Sequence, residues 1–174
     1  ALDSWLKSHG IVGIAGVDTR KLTRRIRDGG APSGAIRHAP DGVFDNDALL
    51  TEAVAWPGLE GMDLAGEVTC RQTYGWDQCC WSLGKGYGVL KDPRHHVVAM
   101  DFGAKHNILR CLANAGCRVT VVPATATAEE ILGHKPDGIF LSNGPGDPAA
   151  TGAYAVPTIQ ALMASGQPIF GICL

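Results

Sequence analysis

The amino-acid sequence predicts an α/β fold: a mainly parallel sheet in the second half, preceded by a smaller mixed α/β region. Three observations carry this. From His96 onward, short apolar runs alternate with stretches of helical spacing. Such alternation implies right-handed crossovers between parallel neighbours. All four tryptophans (5, 56, 76 and 81) lie in the first half, so composition changes along the chain. The change falls at Leu90-Lys91-Asp92-Pro93-Arg94, a polar stretch holding a proline, which sets the expected domains at residues 1–92 and 95–174.

In the first region, Ile11 to Val17 is an apolar, strand-like run. Asp18-Thr19 offers an N-cap for a helix over Arg20 to Arg27, with Leu22 and Ile26 on one face and Asp28-Gly29-Gly30 as its stop. Arg20, Lys21, Arg24, Arg25 and Arg27 make this helix basic, which suits either a solvated face or contact with an acidic partner protein. A second helix is expected near Asp47 to Ala55, then a turn at Trp56-Pro57-Gly58. Residues 71–91 read as short strands and loops.

In the second region the strands are expected at His96–Phe102, Arg118–Val122, Gly138–Leu141 and Pro168–Ile172. The helices between them are Asn107–Ala115, Ala128–Leu132 and Tyr154–Ala164. Gly116 closes the first helix, whose Ile108, Leu109, Cys111 and Leu112 are expected to face inward, and Thr127 caps the second.

Composition narrows the function. A hydrophobic content of 45% and a charged content of 18% fit a globular protein. A net charge of −2 gives no general attraction to nucleic acid or to an anionic membrane, so neither is expected as a partner. No apolar run approaches the ~20 residues of a membrane span. The six cysteines (70, 79, 80, 111, 117 and 173) show no paired metal-site spacing, so no metal is expected in the chain and the thiols read as reduced. With no secretory leader visible, the expected location is cytoplasmic. Asp101-Phe102-Gly103 matches a kinase metal-binding triplet only by coincidence, since no nucleotide loop precedes it.

Two segments carry chemistry, and both fall at carboxyl ends of predicted strands, where ligands bind in open α/β sheets. One is the Gly-rich loop Ser142-Asn143-Gly144-Pro145-Gly146-Asp147-Pro148. The other is Gly171-Ile172-Cys173-Leu174 after an apolar strand, which reads as a tight elbow presenting the Cys173 thiol. Thiolate attack on an acyl carbon places negative charge on the carbonyl oxygen, which backbone N–H groups can stabilise. Gly144 and Gly146 allow close backbone approach, and the amide of Leu174 follows the nucleophile. The bland alternatives are a rigid turn and a buried cysteine acting as a small hydrophobe. A phosphate cradle is a further reading, disfavoured because no Gly-Lys-Ser/Thr follows and no helix is expected to start on the glycines.

Together these residues resemble the class I glutamine amidotransferases: Ser-Asn-Gly-Pro-Gly-Asp-Pro at 142–148, then Phe-Gly-Ile-Cys-Leu at 170–174. Three further motifs resemble the small subunit of carbamoyl-phosphate synthase: Val-Asp-Thr-Arg-Lys-Leu-Thr-Arg at 17–24, Pro-Gly-Leu-Glu-Gly-Met-Asp-Leu at 57–64 and Asp-Phe-Gly-Ala-Lys-His-Asn-Ile-Leu-Arg at 101–110. The resemblance implies that residues 1–92 are part of that subunit's N-terminal domain and residues 95–174 the first half of its amidotransferase domain. It implies hydrolysis of glutamine to glutamate and ammonia, with Cys173 as nucleophile. Gly144 and Leu174 would supply oxyanion amides, and Gly144 and Gly146 would hold glutamine. The ammonia would pass to a large subunit that makes carbamoyl phosphate from bicarbonate, feeding arginine and pyrimidine synthesis. ATP and a divalent metal would belong to that partner, leaving this chain without a cofactor. The family's catalytic His and Glu would lie after residue 174. The chain therefore reads as a fragment, inactive by itself. A non-catalytic module of the same fold and a nucleotide binder using the 142–148 loop are the competing classes.

Overall fold

A computed structural model describes residues 2–173. The backbone divides into two compact units, one up to Gly58 and one from Leu59.

The first unit holds three helices: α1 (Leu2–Ser8), α2 (Thr19–Gly29) and α3 (Asn46–Ala55). The Asp18 carboxylate accepts from the Lys21 amide and the Asp45 carboxylate from the Ala48 amide, so α2 and α3 begin on the acidic caps that the sequence offers. Arg37 donates to Glu52 at 2.6 Å in an exposed ion pair. The strand expected over residues 11–17 does not form. No ladder partner faces that run among the described residues, and Ile11, Val12, Ile14 and Val17 are exposed. Apolar composition favours a strand only where another strand takes its backbone groups.

The second unit contains α4 (Leu64–Val68), β1 (Tyr74–Trp76), β2 (Gln78–Ser82), β3 (Gly86–Val89), β4 (His95–Asp101), α5 (His106–Asn114), β5 (Cys117–Pro123), α6 (Ala128–Gly133), β6 (Gly138–Leu141), α7 (Pro148–Ala164) and β7 (Ile169–Gly171). The main sheet runs β1-β5-β4-β6-β7. Three pairings make β5, β4, β6 and β7 parallel, while β1 joins β5 antiparallel. The expected division at 92–95 falls inside this unit, at the turn leading from the β2–β3 hairpin into β4.

β4 is central and is covered on both faces, which explains its nearly continuous apolar sequence. Val98 and Met100 pack with Val122, Ile131, Ile139 and Leu162 on one side. Ala99 packs with Leu109, Val119, Val121 and Phe140 on the other. The first crossover, through α5, therefore lies on one face, and α6 and α7 lie on the opposite face. This is what right-handed connections require when winding reverses after the first pair of strands. α6 starts on a full capping box, Thr127 with Glu130.

Two details differ from expectation. Cys111 is exposed; Leu109 and Ala113 are the residues α5 buries, one turn apart. α7 starts at Pro148, earlier than Tyr154, because Asp147 caps it and proline suits the first helical position. No helix is long and apolar enough to cross a membrane among the described residues.

Candidate active site

In this strand order the winding direction changes between β4 and β6, and in open α/β sheets ligands bind beyond the carboxyl ends of strands at such a switch point. The loop 142–148 leaves β6 at this point and is stitched to the segment leaving β4. Ser142 is buried; its hydroxyl accepts from the Phe102 amide at 2.9 Å and donates to the Asn143 carbonyl at 2.8 Å. The Asn143 side chain accepts from the Lys105 amide at 3.2 Å and donates to the Gly103 carbonyl at 3.1 Å. Asp101, buried at the end of β4, accepts from the amides of Cys70, Gly103 and Ala104 at 2.8, 3.0 and 2.8 Å. The Asp101-Phe102-Gly103 triplet is thus a turn fastened by its own carboxylate.

The glycines are required by the protein itself. A Cβ on Gly144 would overlap the Phe102 carbonyl oxygen and come 2.9 Å from the Phe102 Cβ. Gly146 has φ of 93°, and a Cβ there would lie 2.6 Å from the Met62 carbonyl oxygen and 2.8 Å from the Leu64 nitrogen. The missing side chains make room for neighbouring backbone, not for a ligand. What the loop can offer a ligand is its amides: no acceptor among the described residues takes up the N–H of Gly144 or Gly146.

A second clasp comes from residues 61–64. Asp147 donates its amide to the Met62 carbonyl at 2.9 Å. Its carboxylate accepts from the Gly61 and Ala149 amides at 2.8 and 2.9 Å. Those two amides, Gly61 first, hold its pKa below the ordinary aspartate value. Asp63 caps α4 and accepts from Thr151 and Tyr154 at 3.0 and 3.1 Å. Burial, then the Asp63 carboxylate, pushes the Tyr154 hydroxyl up. Sequence reasoning passed over Ser142, Asn143, Asp147 and this clasp as functional support. The Asp63 partners lie 88 and 91 residues away, so only the Asp-Pro start of α7 was a local signal.

Contrary to expectation, then, a helix does start on the Gly-rich loop. This helix start is still ill suited to a phosphate: Pro148 has no N–H, and the Asp147 carboxylate already occupies the first available amide.

Cys173 follows β7. β7 pairs with β6 as Ile139↔Ile169, Phe140↔Phe170 and Leu141↔Gly171, and Ile172 donates to the Leu141 carbonyl at 3.1 Å. This register carries Cys173 past the same strand ends that the loop leaves at Ser142. Cys173 is exposed. Its φ is 74°, a left-handed conformation that few non-glycine residues adopt and that marks the tip of an elbow. Leu174, the other expected amide, lies outside the described residues. The Cys70 thiol is unsuited to the same chemistry: burial first, then Asp101, pushes it up to about 11.

Residues 98–174 match the glutamine amidotransferase class-I family, and residues 1–36 match the CPSase domain of the carbamoyl-phosphate synthase small chain. The carbamoyl phosphate synthase small chains of Caulobacter vibrioides and Ruegeria pomeroyi are both 59% identical, over 172 and 174 residues and 99% of this chain. That of Brucella anthropi is 58% identical over 173 residues, again 99% of this chain.

Over nearly its whole length the chain is similar to the carbamoyl phosphate synthase small chain.

It spans 44%, 45% and 42% of the length of the Caulobacter, Ruegeria and Brucella small chains. The class-I glutamine amidotransferase match begins inside β4 and covers the parallel strands, the Gly-rich loop and Cys173.

Proposed function

We propose that Cys173 is the nucleophile that hydrolyses glutamine in a carbamoyl phosphate synthase, through a glutamyl thioester. The observation that carries this is an exposed cysteine held at φ 74° at the end of β7, in register with the strand that launches the Gly144 loop. The thiolate attacks the carboxamide carbon, and the carbonyl oxygen gains negative charge. The Gly144 amide, uncommitted within the described protein, and the Leu174 amide would stabilise that oxygen. As the C–N bond breaks, nitrogen leaves with an added proton as ammonia. Water then attacks the thioester carbonyl, releases glutamate and returns the thiol. The Gly146 amide, beside Asp147, would hold the substrate's own polar groups. A His and a Glu after residue 174 would move the protons.

Ammonia would pass to a large subunit that joins it to bicarbonate with ATP and a divalent metal, for arginine and pyrimidine synthesis in the cytoplasm. Residues 1–92 would belong to the small chain's own N-terminal domain and residues 95–174 to the amidotransferase domain, whose strand β1 is lent by the former.

The test is Cys173→Ser in the intact synthase. Glutamine-dependent synthesis should be abolished and ammonia-dependent synthesis kept, because a hydroxyl is a poor nucleophile in a thiolate site while the partner needs only ammonia. Loss of both activities together, or of neither, removes Cys173 from this role.

A further inference from the structure

Away from the candidate site, a second pair of sulfurs stands poised on the face that α5 turns to the β2–β3 hairpin. Cys80 Sγ, on β2, lies 3.9 Å from Cys111 Sγ, on α5. Neither is bonded to another cysteine.

The surroundings hold the two elements together. Arg110, next to Cys111, donates to the Gln78 side chain at 2.8 Å. Its guanidinium sits 4.3 Å from the centre of the Tyr87 ring and 5.6 Å from that of Trp76. Hydrogen bond and cation–π contacts therefore pin hairpin to helix at the residue before the thiol. On the other side of the pair, β2 is irregular. Gln78 pairs with Val89 and Trp81 with Tyr87, so three steps on β2 oppose two on β3. The extra residue falls at Cys79-Cys80, where a bulge re-aims side chains and leaves the strand slack.

We propose that Cys80 and Cys111 are a modification site: a thiol pair that closes into a reversible disulfide under hydroperoxide, tethering the hairpin to α5. Closure needs the sulfurs to move from 3.9 Å to the roughly 2.05 Å of a disulfide. Side-chain rotation and the slack of the bulge supply that movement. Cys111 is exposed and meets the oxidant first. Its sulfur attacks one peroxide oxygen, the O–O bond breaks, and one water leaves with a sulfenic acid in place. Cys80 sulfur then attacks the Cys111 sulfur, the S–O bond breaks, and the oxygen leaves as a second water with the Cys80 proton. Two thiols are oxidised and one peroxide is reduced. A small-molecule dithiol reverses the reaction by exchange. Partial burial, then the hydrogen bond with Cys111, raises the Cys80 thiol, so Cys80 acts as the resolving partner rather than the first to be attacked.

The tether has a short path to the loop at 142–148. α5 starts directly after Lys105, whose amide is bonded to Asn143.

The test treats the intact protein with hydrogen peroxide, blocks free thiols with iodoacetamide, and maps the peptides by tandem mass spectrometry. The expected product is one linked pair joining Cys80 to Cys111, lighter by two hydrogens, with alkylation lost at both and restored by dithiothreitol. Cys111→Ser should abolish the link and leave Cys80 alkylated, whereas Cys79→Ser should leave the link in place. A link through Cys79, a bridge between Cys79 and Cys80, or full alkylation of both Cys80 and Cys111 after peroxide would overturn the proposal. The wild-type measurement decides even where a variant folds poorly.

Discussion

No side chain on α1, α2 or α3 is buried, whereas β4 alone buries five of its seven residues. Both regions contain helices with good caps and apolar residues at helical spacing. Only the region after Leu59 converts that spacing into a core, through two clusters on the faces of one sheet. Leu22 and Ile26, the apolar stripe of α2, stay exposed, as do Leu50 and Val54 of α3. The difference shows that helix signals are local and that burial is not. A cap contributes about 1 kcal/mol wherever the helix sits, while a core side chain contributes only if other elements close over it.

Paired truncations test this contrast most strongly. Leu162→Ala or Phe140→Ala should destabilise the second unit by about 3–5 kcal/mol. Ile14→Ala or Leu50→Ala, on exposed side chains, should stay within about 0.5 kcal/mol. Denaturant midpoints of the four variants decide, and a large loss at Ile14 or Leu50 would break the comparison by showing a cover over the first unit.

Next comes Gly146→Ala. The left-handed backbone and the approach of Met62 and Leu64 should cost about 1–3 kcal/mol in stability. On the proposed glutaminase role, any rise in the glutamine KM of the intact synthase should therefore arrive with a lower melting temperature. An unchanged melting temperature with a raised KM would mean that the loop faces substrate more directly than its packing shows.

Asp18→Ala should weaken α2 by about 1 kcal/mol. The far-ultraviolet helical signal should fall while the near-ultraviolet signal of the sheet region stays fixed. If both fell together, the loss would not be confined to α2.

The smallest effect is a pH dependence at His96. Burial, then Arg118, lowers its pKa below the ordinary 6.5, and its Nε2 lies 2.8 Å from the Thr120 hydroxyl. The unfolded chain then binds the proton more readily than the folded one. Its contribution is fully present above 6.5 and declines as pH falls below that value toward the folded pKa. Denaturation midpoints should drop modestly between about pH 7.5 and about pH 5, and His96→Gln should flatten the drop. An equal drop in the variant would assign the effect to other groups.

Most of the sheet was legible in the sequence because each strand is apolar, short and closed by glycine or proline. β6 matches its expected bounds, and β4, β5 and β7 differ from theirs by one residue at one end or both. What escaped depended on distant partners. Residues 11–17 have the composition of a strand but no ladder to join among the described residues. Cys111 shares helical spacing with Leu109 and Leu112, yet the helix rotates it out beside the hairpin. α7 was read late because Pro148 and Gly152 resemble loop residues, although proline is at home in a first turn. In the site, Cys173 and the two glycines stood out by type and position. The clasp from Gly61 to Leu64 did not, since its bonds reach across the fold to Asp147, Thr151 and Tyr154.

The φ of 74° at Cys173 also has a bearing on descent. An L-residue held in that conformation gives up about 1–2 kcal/mol that glycine would keep. A thiol persists there only while something selects for it. In a lineage that came to draw its ammonia from solution, the position would be released, and drift would run toward glycine or asparagine and away from valine and isoleucine. On the proposed role, the residue at this elbow would be a record of use: cysteine while glutamine is the nitrogen source, and the amino acids of relaxed backbone once it is not.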